Sequence, residues 1–253
     1  MIYTNFISKI LLVFLVFFPM LSQAEQDVAV APQPLVFTQA FQASLNPWQV
    51  LQYLQDGNRR FMEGKMLHRD YDSELKTAAK KQYPGAVILS CIDSRTPPEL
   101  IFDQGIGDMM AIRIAGNIVN NDILGSMEFA AHVIGVKLIA VIGHTRCGAV
   151  DKACQDVKLG HATALLEKIQ PAVQQAKKDF PAGNCQNQKF VNEIAKKNVL
   201  LVMHQIKDSS PIIRKLITEG KIGIVGGIQD IETSKVVFLD DYSLMPARHA
   251  DIK

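Results

Sequence analysis

Two short apolar runs end in side chains able to hold a metal, and this pairing restricts the fold more than any other feature of the chain. Gly85-Ala-Val-Ile-Leu-Ser90 leads into Cys91, and Lys137-Leu-Ile-Ala-Val-Ile-Gly143 leads into His144. Continuous apolar runs of this length read as strands buried on both faces, the pattern of a parallel sheet covered by helices. Both reactive side chains then leave the carboxyl ends of their strands, the edge at which open α/β sheets place their chemistry. Cys147 follows His144 closely. Two thiolates and one imidazole form a three-ligand set, which is what a catalytic zinc takes while keeping its fourth position for water; a structural zinc usually takes four. The alternative is two buried cysteines and a satisfied core histidine.

The rest of the chain alternates in the α/β manner. Strands are expected at residues 86–90, 109–114, 138–143 and 222–226, with an edge strand at 235–240. The fold class is α/β: a mostly parallel central sheet of about four parallel strands plus that edge strand, flanked by helices. Asn46-Pro47 opens a helix, with Asn46 as N-cap and Pro47 in the first turn; Gly57-Asn58 interrupts its apolar pattern. Further helices are expected at 72–82, from Pro97-Pro98 toward Phe102, from Asn121 or Asp122 to Val133, at 161–178 with Pro171 kinking or dividing it, at 189–207, and from Ser210-Pro211 to Gly220. Gly223-Ile-Val-Gly226-Gly227 has the wrong spacing for a dinucleotide fingerprint and reads as a strand-end turn.

The N-terminus reads as a secretion signal. Lys9 supplies a positive region, residues 10–21 are apolar, and Ser22-Gln-Ala24 has small residues where a signal peptidase cuts. The apolar run is shorter than the roughly 20 residues of a bilayer span, so no stable membrane anchor is expected after cleavage; an uncleaved anchor is the alternative. The expected organisation is signal peptide 1–24, arm 25–45, catalytic domain 46–242 and poorly ordered tail 243–253, with the mature protein in the periplasm of a Gram-negative host. That compartment is oxidising, yet Cys154 and Cys185 are read as two unpaired thiols, with a disulfide the alternative. The net charge of +2 is not gathered into a stripe, which argues against nucleic acid as a partner.

Asp93 and Arg95 flank the first cysteine. Arg95 is placed to pair bidentately with the Asp93 carboxylate and keep it ionised. Asp93 then accepts a hydrogen bond from metal-bound hydroxide and aims it at an electrophile. The same carboxylate, released from Arg95, would reach the fourth metal position and close the site. Thiolate donation leaves a bound water less acidic than in a three-histidine zinc site, where its pKa is about 7, so this assistance matters. His132 reads as a core or interface residue rather than a ligand.

Together, Ser90-Cys-Ile-Asp-Ser-Arg-Thr-Pro-Pro-Glu-Leu100, Arg113-Ile-Ala-Gly-Asn117 and Gly143-His-Thr-Arg-Cys-Gly-Ala-Val150 resemble the β-class carbonic anhydrases, and Gly57-Asn-Arg-Arg-Phe61 is similar to that family's N-terminal helix. The resemblance implies reversible hydration of carbon dioxide to bicarbonate and a proton. It implies Cys91, His144 and Cys147 as ligands of one Zn2+ per chain, Asp93 and Arg95 as the catalytic dyad, and Gly116, Asn117 and Gly148 as pocket and backbone support. It also implies a homodimer or higher even oligomer with the site at the interface. A subset of the family carries a tryptophan where this chain has Ile88, as part of a regulatory bicarbonate pocket, so an open site without that inhibition is expected. Competing readings are a carbon disulfide or carbonyl sulfide hydrolase on the same scaffold and a non-catalytic zinc-binding protein. A thiol redox protein is disfavoured because no Cys-x-x-Cys pair is present.

Overall fold

The fold is described from a computed structural model, which covers residues 33–34 and 36–247. The expected signal peptide 1–24, the arm up to residue 32 and the tail from residue 248 lie outside the described residues. Five strands form one sheet in the order β2-β1-β3-β4-β5: β1 (Ala86–Ser90), β2 (Met109–Arg113), β3 (Leu138–His144), β4 (Gly223–Gln229) and β5 (Val236–Phe238). The first four pair in parallel and β5 runs antiparallel to β4, as the apolar runs and the edge strand predicted.

Every residue of β1 and β3 is buried. That leaves both strands sandwiched between helices, and each fully buried Val, Ile or Leu there contributes about 1.5–3 kcal/mol. On one face lies α9 (Gln188–Ser209), whose buried Val191, Ile194, Ala195, Val199, Val202 and Ile206 recur at helical spacing. It is joined by α5 (Asn121–Glu128), a π-helical continuation at Phe129–Ile134, and α10 (Pro211–Thr218). Ser210 ends α9 and caps α10, its Oγ accepting from the Ile213 amide at 3.1 Å. On the other face α2 (Pro47–Met62) starts with the expected capping box between Asn46 and Gln49.

Several expectations need correction. Gly57 does not break α2: a Cβ there would lie 1.8 Å from the carbonyl oxygen of Phe102. The glycine allows close approach to α4 (Pro98–Ile101), and Asn58 bonds the carbonyls of Ile101 and Ser234 and the Val236 amide. Gly223 to Gly227 is not a turn but the body of β4. Gly226 is small because α9 lies directly over it; a Cβ would meet Met203 Sδ at 2.6 Å and Val199 Cγ1 at 2.7 Å. The end of the arm packs onto the fold, since Phe37 is buried and α1 (Gln39–Ser44) follows. The tail is anchored as far as residue 247: Leu244 bridges antiparallel to Ile224, and Trp48 Nε1 donates to the Pro246 carbonyl at 2.9 Å. The helix at 72–82 is shorter, α3 (Tyr71–Ala78). Residues 161–178 divide, as Pro171 demands, into α7 (Ala162–Glu167) and α8 (Gln170–Asp179). Cys154 and Cys185 are not free thiols; they form a disulfide with Cα atoms 5.7 Å apart. It links the end of α6 (Gly148–Cys154) to the loop before α9. His132 is exposed in the single chain, which removes the core option and leaves the interface option of that reading. Among the described residues, no helix is long and apolar enough to cross a membrane.

Candidate metal centre

The strand order creates the site. From β1 the chain passes to β2 on one side, then returns to lay β3 on the other side of β1 and continues outward to β4. The loops leaving β1 and β3 therefore diverge, and a crevice opens at their carboxyl ends. Cys91 follows β1 and His144 is the last residue of β3. A short turn then returns Cys147 to the same place.

The two Sγ atoms are 4.0 Å apart, and the ligand atoms of Cys91, His144 and Cys147 all lie within 4.8 Å of one another. Two sulfurs each about 2.3 Å from a tetrahedral zinc are about 3.8 Å from each other, so the separation fits the ion. The histidine is oriented for the same purpose. His144 Nδ1 bonds the Thr145 carbonyl at 2.9 Å, which fixes Nδ1 as the protonated nitrogen and leaves Nε2 its lone pair. Nε2 is buried and makes no hydrogen bond. An orphaned imidazole nitrogen beside two buried sulfurs is what a metal site requires and what an ordinary core avoids. The two thiols share one hydrogen bond in which either sulfur can donate; this coupling holds the Cys91 thiol well below its ordinary value and pushes that of Cys147 up.

Asp93 stands beside the cluster, its Oδ2 3.9 Å from His144 Nε2. Arg95 takes both carboxylate oxygens, Nε to Oδ1 at 2.9 Å and Nη2 to Oδ2 at 2.8 Å, and its amide adds a third bond to Oδ1 at 3.0 Å. The Arg95 hydrogen bonds hold the Asp93 carboxyl well below the usual carboxylate range. Engaged on both oxygens, Asp93 is in the ion-paired arrangement, not the closing one.

Gly116 donates its amide to Cys91 Sγ at 3.4 Å. Its φ of 67° lies in the left-handed region, and a Cβ would meet Ile169 Cδ1 at 2.6 Å, so both backbone and space demand glycine. Asn117 is buried next to it, also at positive φ. Gly148 opens α6 with nothing among the described residues within 4 Å of a Cβ position, so none of them requires glycine there.

The roles of some supporting residues escaped sequence reasoning. Arg113 donates to the carbonyls of Cys91 (3.1 Å) and Asp93 (2.6 Å), pinning the loop that carries both. Thr96 Oγ1 donates to the Asp93 carbonyl at 3.0 Å. Buried Asn198 on α9 donates to the Gly116 carbonyl at 2.9 Å. Arg113 opens the Arg113-Ile-Ala-Gly-Asn117 segment quoted above, but its role depends on its pairing with Ser90 across β1 and β2, a register that no local pattern reveals.

A parallel sheet with three ligand-type side chains at its switch point, and an ion-paired carboxylate beside them, defines an α/β protein with a metal-type centre at its strand ends. The family model described as carbonic anhydrase matches residues 86–236. Carbonic anhydrase 2 of Mycobacterium tuberculosis is 33% identical over 201 residues, covering 77% of this chain and 94% of that protein. The carbonic anhydrase of Mycolicibacterium smegmatis is 34% identical over 197 residues, covering 76% and 92%. The chain belongs to the carbonic anhydrase family. Its fold is that of the β class: the β-carbonic anhydrase CcaA superposes with a TM-score of 0.63 at 23% identity, covering 78% of this chain and 100% of that one. A tetrameric β-carbonic anhydrase of Sordaria macrospora superposes with a TM-score of 0.62 at 24% identity, covering 75% and 96%.

Proposed function

We propose that this carbonic anhydrase works with one zinc ion per chain, held by Cys91, His144 and Cys147, and that Asp93 and Arg95 form its catalytic dyad. The observation that carries the reading is the orphaned, oriented Nε2 of His144 facing two sulfurs 4.0 Å apart. Bound there, zinc would acidify a water and supply the nucleophile for carbon dioxide. The chain's own residues do the rest. Arg95 keeps Asp93 ionised and fixes its plane. Asp93 accepts a hydrogen bond from the reacting water and directs a lone pair toward the substrate carbon. Gly116 stabilises charge on the Cys91 sulfur through its amide. The pinned loop from Cys91 to Thr96 keeps these groups in register, so little reorganisation accompanies reaction. Ile88 is fully buried within β1, and no cooperative inhibition by bicarbonate is expected.

The assembly we propose is a homodimer or higher even oligomer that covers the mouth of the site. Ile92, between Cys91 and Asp93, is 59% exposed, and Leu100 nearby in sequence is 47% exposed. Residues 1–24 would direct export to the periplasm; the disulfide between Cys154 and Cys185 suits an oxidising compartment.

Stopped-flow hydration of carbon dioxide, with zinc quantified on the same purified sample, tests the reading. Rapid turnover at about one zinc per chain, falling at least about a hundredfold in Asp93→Asn with zinc retained, is the expected result. Full zinc occupancy without hydration between about pH 7 and about pH 9 would exclude it.

A further inference from the structure

Only Thr145 and Arg146 separate the ligands His144 and Cys147, and two different elements grip this dipeptide. Arg146 has φ 55°, in the left-handed region that a residue with a side chain occupies at a cost. Its amide donates to Asn192 Oδ1 on α9 at 3.0 Å, and the same oxygen accepts from Gln188 Nε2 at 3.0 Å. The Arg146 guanidinium pairs with Glu232, on the turn after β4. From that turn the Ile231 amide donates to Thr145 Oγ1 at 2.9 Å, and the Thr145 amide donates to the Gln229 carbonyl at 2.9 Å.

This grip has an evident purpose. A residue at positive φ relaxes toward the right-handed or extended region unless something holds it. Relaxation at Arg146 would rotate the next peptide and carry Cys147 away from His144. The guanidinium pair is exposed on both sides, and such pairs hold weakly. The backbone itself is held by Asn192, which takes the Arg146 amide from the side of α9. Gln188, one turn earlier on the same helix, fixes the orientation of that amide oxygen.

We infer that Asn192 is a positioning residue for the ligand turn, setting how tightly the metal is kept; this rests on the zinc reading above. Asn192 touches neither metal nor substrate. It acts through the backbone of Arg146, and its effect depends on that residue being unsuited to its conformation. Glycine at the same position has no such preference, so R146G should remove most of the need for Asn192.

The experiment is a double-mutant cycle read as zinc loss. Purified zinc-loaded wild type, N192A, R146G and N192A/R146G are challenged with excess chelator, and zinc release is followed in time. Cobalt-substituted samples of each are compared by visible absorption, which reports ligand geometry. Thermal unfolding of each metal-free protein is measured alongside. Residues supporting metal ligands typically alter affinity about 10–100-fold. N192A is expected to speed zinc release about tenfold in the presence of Arg146 and to perturb the cobalt spectrum, while adding less than about threefold on top of R146G. Equal effects of N192A in both backgrounds overturn the inference, as does unchanged release in N192A. A loss of metal-free stability that accounts for the faster release also overturns it, because Asn192 would then serve the fold generally. Wild type that holds no zinc sinks the metal reading itself, and is told apart because it appears before any variant is compared.

Discussion

Arg113 illustrates how much of this site is held by backbone rather than by ligands. Its two bonds to the Cys91 and Asp93 carbonyls are charge-assisted, a kind worth about 1.5–3 kcal/mol each. Arg113→Met keeps the length of the side chain but removes both donors. It should lower kcat/KM for carbon dioxide by about ten- to a hundredfold and lower the unfolding midpoint, with zinc content close to wild type. An unchanged kcat/KM would show that the loop holds its shape unaided. The cluster at the strand ends was legible in the sequence because Cys91, Asp93 and Arg95 are neighbours in one segment and His144 and Cys147 in another. The roles of Arg113, Asn192 and Asn198 were not. Each acts on a partner 20 to 82 positions away, and such contacts come from strand register and helix placement, which local periodicity does not encode.

At the scale of elements, the strands were the most legible part, because β1 and β3 are buried throughout and write their burial directly into composition. Helix starts at Asn46 and Ser210 were legible for a similar reason: capping chemistry is local. Close packing was not. Gly57 read as an interruption and Gly226 as part of a strand-end turn, yet each marks a place where another element approaches too near for a side chain. Gly226→Ala should therefore destabilise the protein by ~1–3 kcal/mol, as overpacking does. A lower urea midpoint with unaltered slope would show it, and a midpoint equal to wild type would mean that α9 yields freely. The disulfide stood only as the alternative to free thiols because sequence carries no Cα separation. It secures α6, the helix that begins one residue after Cys147. Replacing Cys154 and Cys185 together by serine is expected to cost about 2–4 kcal/mol, measured by denaturant unfolding of the purified protein in the absence of reductant.

For the molecule as a whole, the most consequential buried charge lies away from the strand ends. Asp108 is 1% exposed. It accepts from the Gly105 amide at 3.0 Å and the Phe37 amide at 3.2 Å, and it lies 3.6 Å from the Arg69 guanidinium, with Glu74 opposing it. Burial outweighs these partners and pushes its carboxyl up to about 6. The fold thus favours the neutral acid. That contribution is complete below the unfolded value of about 3.9 and is lost as pH rises through about 6. Asp108→Asn stays neutral at every pH. The stability of wild type minus that of the variant should fall by roughly 2–3 kcal/mol between about pH 4 and about pH 6 and then level off. Urea unfolding across that interval reads the difference, and a flat line contradicts the assignment. The Phe37 amide ties the end of the arm to this network. The arm's packing was invisible in sequence because it has no periodicity of its own and takes its order from the surface it meets.

The bridge between Cys154 and Cys185 has a further consequence for how the chain answers to cutting. It turns the segment between them, which spans 31 positions and contains α7 and α8, into a covalent ring. Lys158 is exposed on a connecting loop inside that ring. A protease that cleaves after Lys158 opens the ring without parting the molecule: the halves migrate as one species until a reductant is added, and then as two.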